Sequence, residues 1–444
     1  MTSMLNIIIF SVFYVASSAA LAANKNDSEK LLDAIRLGGA NKVEYILDNG
    51  SNPNQLLADG STPLAWAVES QNLSSVKILL KHGAKPNLQN PATTFTPLSL
   101  ACQYGHNEII ELLLKAKANI NTIDSEGISP FSLCAGTASS KIIKRMLKMK
   151  ADIRLSDKKG QTPLMRAAAY NKMDTVKLLI KHDAHIDQVT NAGFTALFFA
   201  VKSGKPEAAL TLLAANADAS HIGPENTTLV QLAMYQSNYL IAQELIKRGA
   251  DLTAFDRNGQ QLLHAAVLAN QPALVQLLIN KGADLNTPTG ESLVKWRYES
   301  NFKTAPYEPP FAPAVLLAAQ HGHGEIMKIL ASAGVDINVT SEHGNNITLA
   351  AAGSNSPQAL ATALALSPNA NISNKYGQTP LHIVLETSSG DDLQQMLTLL
   401  AQYGANADIR NSKGVSAMDI ATAKEYKGKA TFAAVFQHSL EEAL

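Results

Sequence analysis

Apolar residues recur along this chain at the spacing of short amphipathic helices. Residues 160–187 show the pattern most clearly: two apolar stripes, which include Leu164 and Leu179, are separated by the polar Asn171 and Lys172. The pattern predicts two short helices joined by a turn. Such a pair cannot bury both stripes by itself, so it needs a similar pair on each side.

Local signals also predict where these two helices begin and end. Thr162 is a typical N-cap, because its hydroxyl can accept a backbone N–H of the first turn, and Pro163 fits the first helical position. Asp183 follows the second stripe, where sister copies have a glycine suited to a left-handed C-cap. We therefore expect the second helix to end at Asp183.

The same helix pair is repeated along the chain. The Leu164 position, called the marker below, recurs in eight further units, at Leu31, Leu64, Leu98, Phe131, Leu197, Val230, Leu263 and Val315. A second helix is expected to end 19 residues after each marker, at Gly50, Gly83, Lys117, Lys150, Asp183, Asn216, Gly249, Gly282 and Gly334. Because nine units keep both spacings, a chance pattern is excluded.

Short motifs at fixed places in the units carry a family resemblance. Gly-x-Thr-Pro-Leu occurs at 60–64 and 160–164, and with a following histidine at 377–382; Gly-Ala-Asp-Leu occurs at 249–252 and 282–285. These motifs resemble the ankyrin repeat, and the resemblance covers nearly all of the chain after the leader. It implies an all-α solenoid of about twelve helix-turn-helix units with extended finger loops.

The spacing of the motifs divides the chain into segments. The predicted segments are a signal peptide at 1–22, an N-terminal capping repeat at 24–57, regular repeats at 58–286, an aromatic and proline-rich finger insertion at 287–311, further repeats at 312–411 and a C-terminal capping repeat at 412–444. The repeat near 344–372 is degenerate, and its poor caps predict that it opens first. Residues 388–391 are expected to lengthen the turn between two helices.

The N-terminal segment predicts export from a bacterial cytoplasm. Residues 5–16 form an apolar run too short to span a membrane comfortably, and Ala20-Leu21-Ala22 fits a cleavage site. We expect the mature chain to start near Ala23 and to be periplasmic or secreted. The region before the apolar run lacks Lys and Arg, so an uncleaved membrane anchor is the alternative.

The charge balance limits the classes of partner to expect, and the cysteine positions indicate the state of the two thiols. Lys and Arg together number 37, as do Asp and Glu, so no basic excess indicates nucleic acid or an anionic membrane as a partner. Cys102 and Cys134 are expected to be buried thiols, because packed helices lie about 8–10 Å apart while a disulfide needs Cα atoms within about 7 Å.

Sequence motifs for catalysis, a metal or a cofactor are absent. The chain has no HExxH, Walker A or GxGxxG motif, so we expect no catalytic residues, no metal and no cofactor. His321 and His323 invite a metal interpretation, but their spacing matches no known site. The resemblance implies that His264 and His382 tie neighbouring repeats together. An enzyme with its site in the insertion stays as the least favoured alternative.

Exposed aromatic side chains are the best candidates for binding a partner. The insertion contributes Trp296, Tyr298, Phe302, Tyr307 and Phe311. The ends of first helices contribute Tyr104, Tyr170, Tyr235 and His321, which the resemblance places in a concave groove, and the fingers contribute Phe95 and Phe194. Local packing of the fingers and of the insertion is an equally good interpretation. Trp66 is predicted to lie in the core.

These observations favour non-catalytic recognition of a partner protein through the groove and fingers. We expect a monomer with no membrane contact after signal cleavage. A periplasmic scaffold, an inhibitor or immunity protein against a toxin enzyme, and a secreted effector that binds a host protein all fit the sequence. The identity of the partner is not encoded in any motif of the chain.

Overall fold

The structure is a computed structural model that describes residues 27–57, 59–293, 296–298, 304–306, 311–423 and 425–436. These residues contain 24 α-helices, arranged as twelve consecutive pairs, together with two short strands. The predicted all-α solenoid of about twelve helix pairs is therefore confirmed. The chain divides into two compact units, Met1–Asn191 and Ala192–Leu444, while the predicted signal peptide and its cleavage site lie outside the described residues.

The first unit contains five helix pairs. Their helices are α1 (Asp27–Arg36), α2 (Ala40–Asp48), α3 (Pro63–Glu69), α4 (Leu73–Lys81), α5 (Pro97–Tyr104), α6 (Asn107–Lys115), α7 (Pro130–Thr137), α8 (Ser140–Lys148), α9 (Pro163–Ala169) and α10 (Met173–Lys181). Each first helix of a pair packs on the first helix of the next pair, and each second helix packs on the next second helix.

The second unit contains seven helix pairs, stacked in the same way. Their helices are α11 (Ala196–Lys202), α12 (Pro206–Ala214), α13 (Leu229–Tyr235), α14 (Tyr239–Lys247), α15 (Leu262–Leu268), α16 (Pro272–Asn280), α17 (Ala314–Gln320), α18 (Gly324–Ser332), α19 (Ile347–Ala352), α20 (Pro357–Leu366), α21 (Pro380–Thr387), α22 (Gly390–Gln402), α23 (Ala417–Thr422) and α24 (Lys429–Val435). Strands β1 (Trp296–Tyr298) and β2 (Thr304–Pro306) lie between α16 and α17.

The helix boundaries follow the signals in the sequence. The Thr162 hydroxyl accepts the backbone N–H of Met165 and Pro163 opens α9, as predicted. Each of the nine residues expected to end a second helix has a positive φ, between +60° for Asn216 and +92° for Gly50. A left-handed residue lets the chain leave the helix while its last carbonyls remain bonded, which explains why glycine is frequent at this place.

Small side chains let neighbouring pairs approach closely. The residue three positions after the marker is fully buried in all nine marked units, and it is Ala34, Ala67, Ala101, Cys134, Ala167, Ala200, Ala233, Ala266 or Ala318. The nine markers are themselves at most 2% exposed. Within each compact unit the core is thus a row of small residues flanked by larger aliphatic residues, and each pair buries its apolar surface against its neighbours.

Asparagine side chains bond one repeat to the next. The Asn121 amide donates to Lys150 O at 3.2 Å and accepts the Asp152 N–H at 2.9 Å. The same two-bond pattern occurs at Asn54, Asn87 and Asn371. These bonds satisfy backbone groups where each second helix ends, and they fix the register of successive fingers.

The insertion leaves the repeat register intact. Helices α17 and α18 pack directly on α15 and α16, and Asn286 accepts the N–H of Asp336 at 3.0 Å across the extra residues. The base is closed by the Thr289 N–H, which donates to Ala312 O at 3.1 Å. Between these bonded residues of the base, β1 and β2 pair antiparallel.

The poor caps expected near 344–372 and the longer turn expected near 388–391 are both wrong. The repeat near 344–372 is well capped: Asn346 accepts backbone N–H groups of the first turn of α19, and Ser356 does the same for α20. That this repeat opens before the others stays a prediction, and poor helix caps no longer support it. The extra residues near 388–391 do not lengthen the turn, which consists of Ser388 and Ser389. They instead extend α22 to 13 residues.

The expectation of two free thiols is also wrong, because Cys102 and Cys134 form a disulfide with a Cα–Cα distance of 4.5 Å. The separation of helix axes is larger than the separation of the Cα atoms that face each other. Each Cα lies about 2.3 Å from its helix axis, so facing Cα atoms on helices with axes about 9 Å apart are only about 4.4 Å from each other. The disulfide joins α5 to α7, and both cysteines are fully buried.

Candidate functional site

The outward side of the first helices carries four of the eleven predicted binding residues: Tyr104, Tyr170, Tyr235 and His321. We call it the first-helix face and define it as the residues two, five and six positions after each marker. In the first unit it includes Trp66, Glu69, Tyr104, Arg166 and Tyr170. Because the alanine three positions after the marker faces the next helix, these neighbouring positions point away from the core.

Trp66 lies on this face and not in the core, which corrects the prediction made for it. Its ring is half-buried, with the Arg36 guanidinium 4.4 Å from the ring centroid. Its indole N–H donates to Asp59 Oδ2 at 3.1 Å. A fully buried tryptophan would lack room for both polar partners, whereas at the surface the cation–π contact holds the ring in one orientation.

Glu69 follows Trp66 by three residues in α3, and its charge acts on Tyr104 of α5. Burial, followed by the nearby Asp59 carboxylate, raises the pKa of Glu69. Burial and the Glu69 charge likewise raise the pKa of Tyr104. Tyr104 is still 38% exposed, so its ring and hydroxyl are available to a partner.

Tyr170 is held against a glycine of the preceding repeat. It is 47% exposed, and one edge of its ring covers Gly136, where an added Cβ would lie 2.8 Å from the ring. Arg166, one turn earlier, donates to Asp157 Oδ2 at 3.1 Å. The first-helix face of the first unit thus presents two exposed tyrosines whose surroundings are already ordered.

In the second unit, Tyr235 is the best-fixed of the predicted tyrosines. Its hydroxyl donates to Asp256 Oδ2 at 3.0 Å, and the Arg257 guanidinium lies 5.3 Å from its ring centroid. Burial and the Asp256 carboxylate raise the pKa of Tyr235 to about 12. The phenol therefore stays protonated near neutral pH and serves as a hydrogen-bond donor.

A pocket opens next to Tyr235, between α13 and α15, with a volume of about 300 Å³. Ala265 lies in its wall, at the position two residues after the marker. The corresponding residues of the other eight marked units are larger, and they are Asp33, Trp66, Leu100, Leu133, Arg166, Phe199, Leu232 and Leu317. The pocket therefore occupies the space that a larger side chain fills elsewhere, and we call it the Ala265 pocket.

The finger beside the Ala265 pocket is bonded to the base of the insertion. Gly290 N–H donates to Gly259 O at 2.7 Å, and Leu293 N–H donates to Arg257 O at 2.8 Å. The approach is so close that a Cβ at Gly259 would lie 2.2 Å from Gly290 O. Sequence reasoning missed this contact, since it depends on how the insertion folds back on the preceding finger.

The aromatic residues of the insertion are only partly described. Phe311 is exposed, and Trp296 and Tyr298 lie in β1, opposite Pro306 and Thr304 of β2. Their side chains lie outside the described residues, as do Phe302 and Tyr307. Their role in binding therefore stays a prediction.

The remaining candidates divide between exposed and locally packed residues. His321 is exposed at the end of α17, and its ring stacks on that of His323 at 6.0 Å. Phe194 packs edge-on against Phe198 at 5.9 Å, which favours the local-packing interpretation for this finger. Phe95 is half-buried in its finger.

The two motif histidines have the tying role that the resemblance implies. His264 accepts the Gln261 N–H through Nδ1 at 3.1 Å, and its Nε2 lies 2.9 Å from Thr287 O of the following finger. His382 makes the same bridge between Thr379 and Val415 O. Burial lowers the pKa of His264, so its ring stays neutral and donates one hydrogen bond while accepting another.

The described residues form neither a metal site nor a membrane-spanning helix. Within the described ranges, no group of three or more His, Cys, Asp or Glu side chains is arranged to hold a metal ion. None of the helices in the described part of the chain is long and apolar enough to cross a lipid bilayer.

Comparison with known proteins matches the repeats throughout the chain. The family model described as "Ankyrin repeats (3 copies)" matches residues 31–124, 131–222, 216–289 and 315–411. Cyclin-dependent kinase 4 inhibitor B of Mus musculus is 30% identical over 97 residues, which cover 22% of this chain and 74% of the inhibitor. Cyclin-dependent kinase inhibitor 2A of Monodelphis domestica is 32% identical over 99 residues, which cover 22% of this chain and 57% of that protein.

A third relative matches this chain over only a small part of its own length. Glycerophosphocholine phosphodiesterase gde1 of Schizosaccharomyces pombe is 38% identical over 85 residues, which are 19% of this chain and 8% of that protein. This chain therefore spans only a small part of the enzyme it matches.

Proposed function

The chain belongs to the ankyrin-repeat family, and we propose that it is a non-catalytic scaffold that binds a partner protein through the first-helix face of its first unit. Proteins of this family are generally protein-interaction modules without catalytic activity. The proposal adds a site, a compartment and a mode of binding to that general role.

The observation that carries the proposal is the exposure of Tyr104 and Tyr170 on the first-helix face. The two rings are 38% and 47% exposed, and the Tyr170 ring is held against Gly136 of the preceding repeat. Tyrosine is frequent at the energetic centres of interfaces. A ring that is already held in place loses little conformational entropy on binding.

We place this binding outside the cytoplasm. The predicted signal peptide is the first support. The disulfide between Cys102 and Cys134 is the second, because such bonds form and persist in oxidising compartments and are rare in the cytosol. A bacterial periplasm, or the medium beyond it, combines both conditions.

An inhibitory role is the second candidate, and one observation favours it. Two of the matched proteins bear the names of kinase inhibitors. A scaffold and an inhibitor would use the same face, and they differ in what binding does to the partner. An immunity protein against a toxin enzyme and an effector secreted towards a host protein belong to this second class.

Paired substitutions on and off the first-helix face test the site. We expect Tyr104→Ala combined with Tyr170→Ala to weaken capture of the partner from a periplasmic extract at least tenfold, about 1.4 kcal/mol. The matched control is Tyr45→Ala, which removes a tyrosine that is 69% exposed on a second helix. Melting of both variants should stay near that of the wild type. Equal capture by the double variant and the wild type would remove this face as the site.

A further inference from the structure

The Ala265 pocket has an apolar floor. Met234, Leu262, Ala265 and Leu268 line it from α13 and α15. Its volume of about 300 Å³ is at the lower limit for small-molecule sites, about 300–1,000 Å³. The pocket therefore has room for one large side chain of a peptide, and it is small for a cofactor.

The polar edge of this pocket favours an uncharged group at its centre. Asp256 is already saturated with donors, since its oxygens accept the Tyr235 hydroxyl, the backbone N–H groups of Asn258 and Gln260, and the Asn258 amide. A carboxylate with four donors has little need of a cation. Gln260 also lines the pocket, and a side-chain amide matches the N–H and C=O groups of a peptide backbone.

A positive charge lies beside this edge. Arg257 is exposed and its guanidinium lies over the Tyr235 ring. It makes no ion pair with another residue of the described ranges. A guanidinium that lies over a ring and has no acidic partner among the described residues is well suited to bind a carboxylate.

We propose that the Ala265 pocket binds an extended peptide segment of a partner protein that carries an apolar side chain followed by an acidic residue. The apolar side chain, of leucine or methionine size, fills the space above Ala265. The carboxylate of the next residue pairs with Arg257, and the amides of Asn258 and Gln260 bind the peptide backbone. Backbone hydrogen bonds to the base of the insertion hold the finger that carries Arg257, Asn258 and Gln260 in place.

The specificity of the pocket can be tested with a peptide array and the full mature chain. The probes are octapeptides of Ser and Gly with one central pair: Leu-Glu, Met-Glu, Gly-Glu or Leu-Lys. We expect binding of Leu-Glu and Met-Glu peptides at least tenfold above the other two. Equal binding of Leu-Lys and Leu-Glu, or no binding of any probe, would overturn the proposal.

Filling the pocket provides the matched test. Ala265→Leu introduces the residue that Leu100, Leu133 and Leu232 supply at the same position, so the fold should accept it. We expect it to abolish binding of the Leu-Glu peptide. The control Ala214→Leu makes the same exchange at an exposed position of the second helix α12 and should bind normally. Undiminished binding by Ala265→Leu would refute the pocket.

Two further variants keep the result unambiguous. If Ala265→Leu melts early, Ala269→Leu closes the pocket from another residue of its lining, and it should abolish peptide binding as well. Arg257→Gln should weaken Leu-Glu binding at least tenfold and leave the weak Leu-Lys binding unchanged. The result is independent of Tyr104 and Tyr170, because the peptide is assayed without the natural partner.

Discussion

Removal of the disulfide between α5 and α7 should destabilise the chain by a predictable amount. The proposed change is Cys102→Ala with Cys134→Ala. Alanine stands at the position of Cys134 in the other eight marked units, and Ala168 stands at the position of Cys102 in the unit of α9. The double variant therefore restores side chains that this packing already accommodates, so steric conflict should not contribute.

The magnitude follows from the length of chain that the disulfide closes. The two cysteines are 32 residues apart in the sequence. The chain-entropy relation gives about 12 cal/mol/K for a loop of this length, or about 3.7 kcal/mol at 25 °C. The free energy of unfolding should therefore fall by about 3–4 kcal/mol, a large fraction of the 5–15 kcal/mol typical of a folded domain.

Urea unfolding followed by circular dichroism measures this difference. Three samples are compared: the oxidised wild type, the wild type refolded with reductant, and the double alanine variant. The reduced wild type and the variant should unfold at similar, lower urea concentrations, and reductant should not affect the variant. A difference below about 1 kcal/mol between oxidised and reduced wild type would refute the entropy argument. Iodoacetamide labelling of both cysteines in the unfolded, unreduced protein would refute the disulfide itself.

Three further changes test the packing. Leu164→Ala removes a fully buried marker and should cost about 2–5 kcal/mol in urea unfolding; a loss below 1 kcal/mol would contradict the burial. Asn121→Ala removes both bonds between neighbouring repeats and should cost about 1–3 kcal/mol, whereas Asn49→Ala, on an exposed residue bonded within its own repeat, should cost less. The Asp48 carboxylate raises the pKa of His82. The stabilisation from the His82–Asp48 pair should therefore be complete below about pH 6.5, the pKa of an unfolded histidine, and it should be lost as the pH rises through the folded pKa. NMR titration should show the pKa of His82 falling in Asp48→Asn.

Features encoded locally were predictable from the sequence. Thr162, Pro163 and Asp183 act within one helical turn, so the sequence pattern alone places them correctly. The markers repeat with a constant spacing, and that constancy predicts which neighbours must touch. The pairing of β1 with β2 in the insertion was harder to predict from the sequence, because prolines disfavour a helix without specifying which strands pair.

Features that depend on packing between repeats were missed. Trp66 occupies a position that is half-buried in several repeats, but its contacts with Arg36 and Asp59 come from two other parts of the chain. The Ala265 pocket left a signal in the sequence: a small residue where the equivalent positions are large. Aligning the repeats position by position would have shown it.

The central claim is that a partner protein binds the first-helix face of the first unit. Site-specific photocrosslinking tests it most directly, with p-benzoylphenylalanine placed at position 104, 170 or 45 of the full chain in its native cell. We predict that irradiation links one and the same protein to the chain from positions 104 and 170, and links nothing specific from position 45 on the second helix α2. Crosslinks from position 45 alone, or identical products from all three positions, would contradict the account.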